Sequence, residues 1–163
     1  MNPLATLPGR VAVVVLLQLA LVGAAVAPQL SARLVGEEYL LRVAPLDPID
    51  PFRGAYVDLT YPDLELDRDP FGDPGTVFVV IAEEGGVWVA AEMTLERPAE
   101  GPYLACDDSG FRVRCGIESW FLPQDEARAL EQAVIAGDAV ATVRIDGRGN
   151  AALVAVSPRR LPG

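Results

Sequence analysis

The sequence contains no lysine and no histidine, and these two absences exclude several kinds of active site. All thirteen basic residues are arginines, so no Ser-His-Asp or Cys-His nucleophile, no Ser-Lys dyad and no Schiff-base lysine can form. A zinc site with a histidine ligand is excluded for the same reason. The remaining carboxylates, tyrosines, serines, arginines and two cysteines contain no complete catalytic constellation. We therefore expect a protein that is not an enzyme and that holds no cofactor or metal.

Positive charge is also scarce. The net charge of the chain is −10, and from Ser31 onward twelve arginines stand against 23 acidic residues. Such a surface repels a phosphate backbone, so we do not expect a nucleic-acid partner. A chain of 163 residues with an apolar segment near its start leaves room for one domain with a buried core.

The N-terminal apolar segment is the most informative feature of the chain. From Val11 to Ala27 it contains no charge and one polar side chain, that of Gln18. As a helix it spans roughly 26 Å, slightly less than a hydrocarbon core of about 30 Å, and Leu30 extends it. We predict a transmembrane anchor at residues 11–30 after a cytoplasmic segment at 1–10. Arg10 and the terminal amine are the only charges before the anchor, so the positive-inside rule predicts an extracytoplasmic C-terminal domain.

Two other interpretations of this segment stay open. Ala25-Val26-Ala27 has the small-x-small form of a signal-peptide cleavage site, although Pro28 directly after it disfavours that cut. A cut after Ala25 is an alternative, and a buried helix of a soluble protein is a third interpretation.

After the anchor we predict a stalk at residues 31–38 and one β-rich domain at 39–163. Alternating and β-branched residues predict strands, joined mostly by short turns that favour antiparallel pairs. Gln124 to Ala136 is predicted to be an amphipathic helix. The predicted fold class is α+β, mostly antiparallel β with about seven strands and one amphipathic helix, behind a single N-terminal transmembrane helix. The strand candidates are 39–43, 55–61, 76–82, 87–95, 103–106, 111–122, 139–145 and 151–156.

The only two cysteines are Cys106 and Cys115. In an oxidising compartment they favour a disulfide. A four-residue turn at 107–110, however, sets Cys106 opposite Phe111, so a disulfide needs a wider loop or a bulge near Gly110. A disulfide and two free thiols both stay open at this point.

Two separated blocks of the sequence form a pattern that is typical of one bacterial family. The first is an Arg-x-x-Pro-x-Asp-Pro run followed by Arg-Gly-x-Tyr-x-x-Leu-x-Tyr, and the second is 114–123, followed by an acidic predicted helix. The chain thereby resembles the GDYXXLXY family of membrane-anchored proteins. Ala55 stands where the motif of that family has an aspartate, so we expect no function that depends on that carboxylate. The first block consists of Arg42, Pro45, Asp47, Pro48, Arg53, Gly54, Tyr56, Leu59 and Tyr61.

The motif residues admit a structural role and an interaction role. Gly54 permits a tight entry into the strand, and Leu59 and Tyr61 are expected to face the core. Tyr56 falls on the opposite face of the strand, where it is a candidate contact for a partner. Arg42 and Arg53 are candidates for ion pairs with Asp47, Asp58 or Glu118.

The resemblance implies a single anchor and a multi-pass membrane protein as partner, but it implies no activity, because the family is biochemically uncharacterised. Our leading hypothesis is a non-catalytic accessory or interaction module for another membrane protein. The rival hypothesis is a carboxylate-dependent cell-envelope hydrolase in which Glu118 and a second acid form the reacting pair.

Overall fold

The computed structural model describes residues 7–45, 56–65, 75–109, 112–121 and 139–158. Within these ranges the chain forms one long helix, a single-turn 3-10 helix at Pro62–Leu64 and nine strands. The long helix α1 comprises Leu7–Val35. The strands are β1 Glu37–Arg42, β2 Ala44–Pro45, β3 Tyr56–Thr60, β4 Thr76–Glu84, β5 Val87–Thr94, β6 Tyr103–Asp107, β7 Ser119–Phe121, β8 Ala139–Ile145 and β9 Ala151–Pro158.

The strands form three small sheets, with the orders β1-β8-β9, β2-β3-β7 and β5-β4-β6. Every strand pair in the described part of the chain is antiparallel. Backbone hydrogen bonds also link one sheet to another: the Ala105 amide of β6 donates to the Gly149 carbonyl, which lies in the β8–β9 turn, at 2.8 Å. The α+β class with mostly antiparallel strands is therefore confirmed, while the predicted helix at 124–136 lies outside the described residues.

The inner faces of the sheets share one hydrophobic core. Alternating positions of β1, β4 and β8 supply much of it, as the period of two along a strand requires. The Tyr39 ring meets the Trp88 ring edge to face, with centroids 4.9 Å apart, which joins the first sheet to the third. The largest fully buried side chains are those of Leu41, Leu59, Val79, Leu104, Ile117 and Val143.

Helix α1 is longer than the sequence indicates, because it continues through Pro28 to Val35. A proline inside a helix removes one backbone hydrogen bond, but contacts of the last two turns with β8 and β9 stabilise the helix beyond it. The segment 31–38 that was predicted as a stalk is divided between α1 and β1, with only Gly36 between them.

The predicted strand 111–122 is wrong as a continuous strand, because only Ser119–Phe121 of the described residues 112–121 form one. In its place the chain forms one bridge at Arg114, which pairs with Asp107, and the short strand β7, which pairs with β3. Gly116 lies between them with a φ of +78°, a conformation that interrupts a strand.

Candidate functional site

The second half of the tyrosine motif is part of the core. Leu59 is 1% exposed and Tyr61 6% exposed. The Tyr61 hydroxyl donates a hydrogen bond of 2.7 Å to the Ile117 carbonyl. Burial raises the pKa of this hydroxyl far above its usual value, and the charge of Glu118 raises it further. Tyr61 is therefore a neutral donor that ties β3 to the chain before β7.

Arg42 makes an ion pair with Asp63, an acid outside the set predicted from the sequence. Its Nε and one terminal nitrogen donate to the two oxygens of Asp63 at 2.5 and 2.9 Å. This two-pronged geometry fixes the short 3-10 helix against the end of β1. The pair is partly exposed, so we assign it a positioning role rather than a large share of the stability.

Glu118, the acid that the hydrolase hypothesis requires, is engaged with its own backbone segment. Its Oε1 accepts a hydrogen bond of 2.5 Å from the Cys115 amide. Its carbonyl accepts another, of 2.8 Å, from the Leu59 amide. Within the described ranges, no group of three or more acidic or cysteine side chains lies close enough to hold a metal ion. The arrangement around Glu118 thus braces a bend beside β3.

The two cysteines form a disulfide, with their Cα atoms 4.1 Å apart. The wider loop that this bond requires is present, because the bridge between Asp107 and Arg114 encloses six residues instead of a tight four-residue turn. The two amides of this bridge donate to the opposite carbonyls at 2.7 and 2.8 Å. The bridge sets Cys106 opposite Cys115, as a pair of antiparallel strands would.

The structure describes only some of the other site residues that the sequence predicts. Asp47, Arg53 and Gly54 lie outside the described residues. The backbone of Tyr56 pairs with that of Phe121 in the second sheet. The interaction role of its side chain stays a prediction.

Sequence reasoning missed Asp146, which is 7% exposed and whose carboxylate accepts four hydrogen bonds from described residues. Its Oδ1 accepts hydrogen bonds from the amides of Arg148 and Asn150 at 2.9 and 3.0 Å. Its Oδ2 accepts from the Asn150 side chain at 2.9 Å and from the Ser31 hydroxyl of α1 at 2.5 Å. The available signal was the Asp-Gly-x-Gly-Asn turn sequence, but that pattern predicts the turn and not its contact with the helix.

Burial alone would raise the pKa of the Asp146 carboxyl. Hydrogen bonds from Asn150, Ser31 and the Arg148 amide more than offset that effect, so its pKa is lowered. The carboxylate is therefore ionised near neutral pH. An ionised acceptor makes stronger hydrogen bonds than a neutral one, which favours the contact with Ser31.

Further polar contacts hold the C-terminal end of α1 against the domain. Arg144 donates to the Gly36 carbonyl at 3.0 Å and to the carbonyl of Arg33. Arg33 in turn donates to the Leu153 carbonyl at 3.3 Å, and the Gln29 side chain donates to the Gly116 carbonyl at 3.3 Å. We call this set of contacts, with the Ser31–Asp146 bond, the helix–domain junction.

Close packing completes the helix–domain junction. Ala32 on α1 and Ala152 on β9 are both fully buried. A Cβ added to Gly36 would overlap the Ala32 carbonyl oxygen and would lie 2.9 Å from backbone atoms of Ile145. Small residues thus allow the helix to approach the sheet closely.

The family model described as GDYXXLXY protein matches residues 18–156, which is most of the chain. The matched range includes the second half of α1, the helix–domain junction and all nine strands except the last two residues of β9. No curated protein and no solved structure matches the chain.

Proposed function

We propose that this chain, which belongs to the GDYXXLXY family, is a membrane-anchored, extracytoplasmic, non-catalytic module that serves another membrane protein. The described part of the chain has one helix long and apolar enough to cross a membrane. Every residue from Val11 to Leu30 is exposed, and at 1.5 Å per residue this stretch is about as long as a hydrocarbon core is thick.

The observation that carries the proposal is the helix–domain junction. An enzyme domain that acts on a diffusing substrate can be attached to its anchor by a flexible linker. A module that binds a neighbouring protein in the bilayer instead gains affinity when its height above the membrane and its orientation are fixed beforehand. Here the helix runs into the sheet with one intervening residue, and partly buried polar contacts hold it there. We infer a multi-pass membrane protein as the neighbour, because such a partner offers both helices within the bilayer and loops above it.

The extracytoplasmic orientation is supported by two features. The disulfide is typical of oxidising compartments, and the small charge bias before α1 favours a cytoplasmic N-terminus. A reporter that is active only outside the cytoplasm, fused after Gly163, should be active, and alkaline carbonate should not release the protein. A cytoplasmic reporter signal would contradict this orientation.

Insertion of a flexible linker tests the interaction role. Gly-Ser-Gly-Ser inserted after Val35 separates the helix from β1 without removing any residue. The full-length variant should lose most of the membrane-protein partner that is cross-linked to the parent chain in intact membranes, as judged by quantitative mass spectrometry. The matched control carries the same insertion between Gly85 and Gly86, in an exposed turn, and should retain the partner. Equal recovery with both insertions would contradict the proposal.

Tyr56 remains the candidate contact within the family motif. Tyr56→Ala should lower partner recovery while the disulfide and the unfolding temperature stay unchanged. The alternative function, a carboxylate-dependent hydrolase, predicts instead that Glu118→Gln abolishes an activity without affecting any partner.

A further inference from the structure

The loops at the helix–domain junction differ in charge from the rest of this acidic domain. Arg112 and Arg114 lie on the loop that ends at Gly116, and Arg148 lies in the β8–β9 turn; all three are exposed. No ion pair joins any of them to an acid within the described ranges. By contrast, the stretch from Glu83 to Glu100 has five exposed glutamates and one arginine.

The acidic side chains of the same two loops are buried, partly buried or engaged in hydrogen bonds. Asp146 is buried, and one carboxylate oxygen of Asp108 is buried as well. Asp107 accepts hydrogen bonds from both the amide and the hydroxyl of Ser109 at 2.9 Å. In these two loops the three exposed guanidinium groups therefore outnumber the one exposed carboxylate, that of Asp107.

Hydrogen bonds place the two loops beside one another and beside the end of the apolar helix surface. The β8–β9 turn is bonded to β6 through the Ala105 amide, and β6 continues into the bridge with Arg114. Gly116 accepts from Gln29, and Asp146 accepts from Ser31. Gln29 and Ser31 flank Leu30, the last residue of the continuously exposed apolar stretch.

The last turn of α1 gives an independent indication of where the bilayer boundary lies along the helix. Ala32 faces the domain and is fully buried, whereas Leu34 and Val35 are 69% and 72% exposed. Apolar side chains on the free side of the helix, at the level where the domain already contacts the other side, are suited to the boundary of a bilayer.

We propose that Arg112, Arg114 and Arg148 form a surface that binds the phosphate groups of anionic lipids next to the anchor. This inference depends on the membrane anchoring proposed above. Guanidinium groups bind phosphate oxygens in a two-pronged geometry, and each arginine near an anionic surface adds roughly a fivefold preference for it. The surface would hold an otherwise acidic domain against a membrane that repels it.

Hydrogen exchange of the full-length protein in lipid nanodiscs tests this proposal. One set of discs contains phosphatidylcholine alone, and the other also contains phosphatidylglycerol, whose headgroup is anionic. Amides in 112–116 and 147–149 should exchange at least roughly fivefold more slowly in the anionic discs, the preference that a single arginine adds, and high salt should remove the difference.

Variants decide whether the arginines cause the protection. The combined change Arg112→Gln, Arg114→Gln and Arg148→Gln should abolish the difference between the two lipids, whereas Arg97→Gln, at an exposed arginine outside both loops, should preserve it. Equal exchange in the two lipids, or protection that survives the triple change, would overturn the lipid contact alone. A chain that does not stay in the discs would overturn the anchoring and the lipid contact together.

Discussion

The β4–β5 and β8–β9 hairpins both turn through glycines, yet their turns have different environments. Gly85 and Gly86 lie in an exposed turn, and among the described residues no atom lies within 4 Å of a Cβ added at either. The β8–β9 turn contains Gly149, whose added Cβ would lie 2.6 Å from the Tyr103 ring. The first turn reverses the chain at an exposed edge. The second reverses the chain and also attaches helix α1 and β6 to the same sheet.

The largest difference between the hairpins should follow from adding one methyl group to each. Gly149→Ala places a Cβ against the Tyr103 ring and the Ala105 amide at a φ of +81°, so we expect a loss of about 3 kcal/mol or more in the free energy of unfolding. Gly85→Ala meets only the intrinsic cost of its φ of +59°, about 1 kcal/mol. Denaturant unfolding of the full chain in micelles compares them, and equal losses would contradict the difference in packing.

The second largest effect should come from the buried acid of the β8–β9 turn. Asp146→Asn replaces one carboxylate oxygen with an NH₂ group, and each of the two oxygens accepts two hydrogen bonds, so two donors lose their acceptor in either orientation of the new amide, at a cost of about 2 kcal/mol or more. Glu84→Gln, at an exposed position of the other hairpin, should change the stability by less than about 0.5 kcal/mol. Comparable effects of the two substitutions would mean that the hydrogen bonds of Asp146 contribute little.

The stability that Asp146 contributes should depend on pH. Because its pKa is lower in the folded chain than the ordinary value of 3.8, its contribution is complete above that value and is lost as the pH falls through the folded pKa. The stability difference between the parent chain and Asp146→Asn should therefore be constant near neutral pH and should shrink below pH 3.8. A difference that grows on acidification would have the wrong sign.

The smallest effect should come from the helix side of the same contact. Ser31→Ala removes one donor but leaves Asp146 with its other three hydrogen bonds, so we expect a loss of about 1 kcal/mol. The double variant with Asp146→Asn should lose less than the sum of the two single losses, since the residues share one bond. Strict additivity would show that the Ser31–Asp146 bond is not formed.

The features that the sequence predicted correctly are those that depend on local sequence patterns. Strand β8 has the predicted bounds, the β4–β5 and β8–β9 hairpins are present, and Leu59 and Tyr61 are buried as their spacing indicates. These features follow from side-chain alternation and turn chemistry, which a short window of sequence contains.

What the sequence did not predict depends on contacts between distant segments. Helix α1 continues past Pro28 because residues of β8 and β9, more than a hundred positions away, contact its last turns. The partner of Arg42 depends on where the short 3-10 helix lies, and the disulfide depends on the width of the loop after Asp107. Local propensity does not contain this information.

We infer that helix α1 and the domain form one rigid unit, and backbone dynamics at the helix–domain junction give the sharpest test of this rigidity. ¹⁵N relaxation of the full-length protein in micelles gives order parameters for the amides of residues 31–36. Our account predicts values of about 0.85, equal to those of β8 and β9. Values below about 0.6 for these residues, with a rigid sheet on one side and a rigid helix on the other, would show a flexible stalk and would contradict the account.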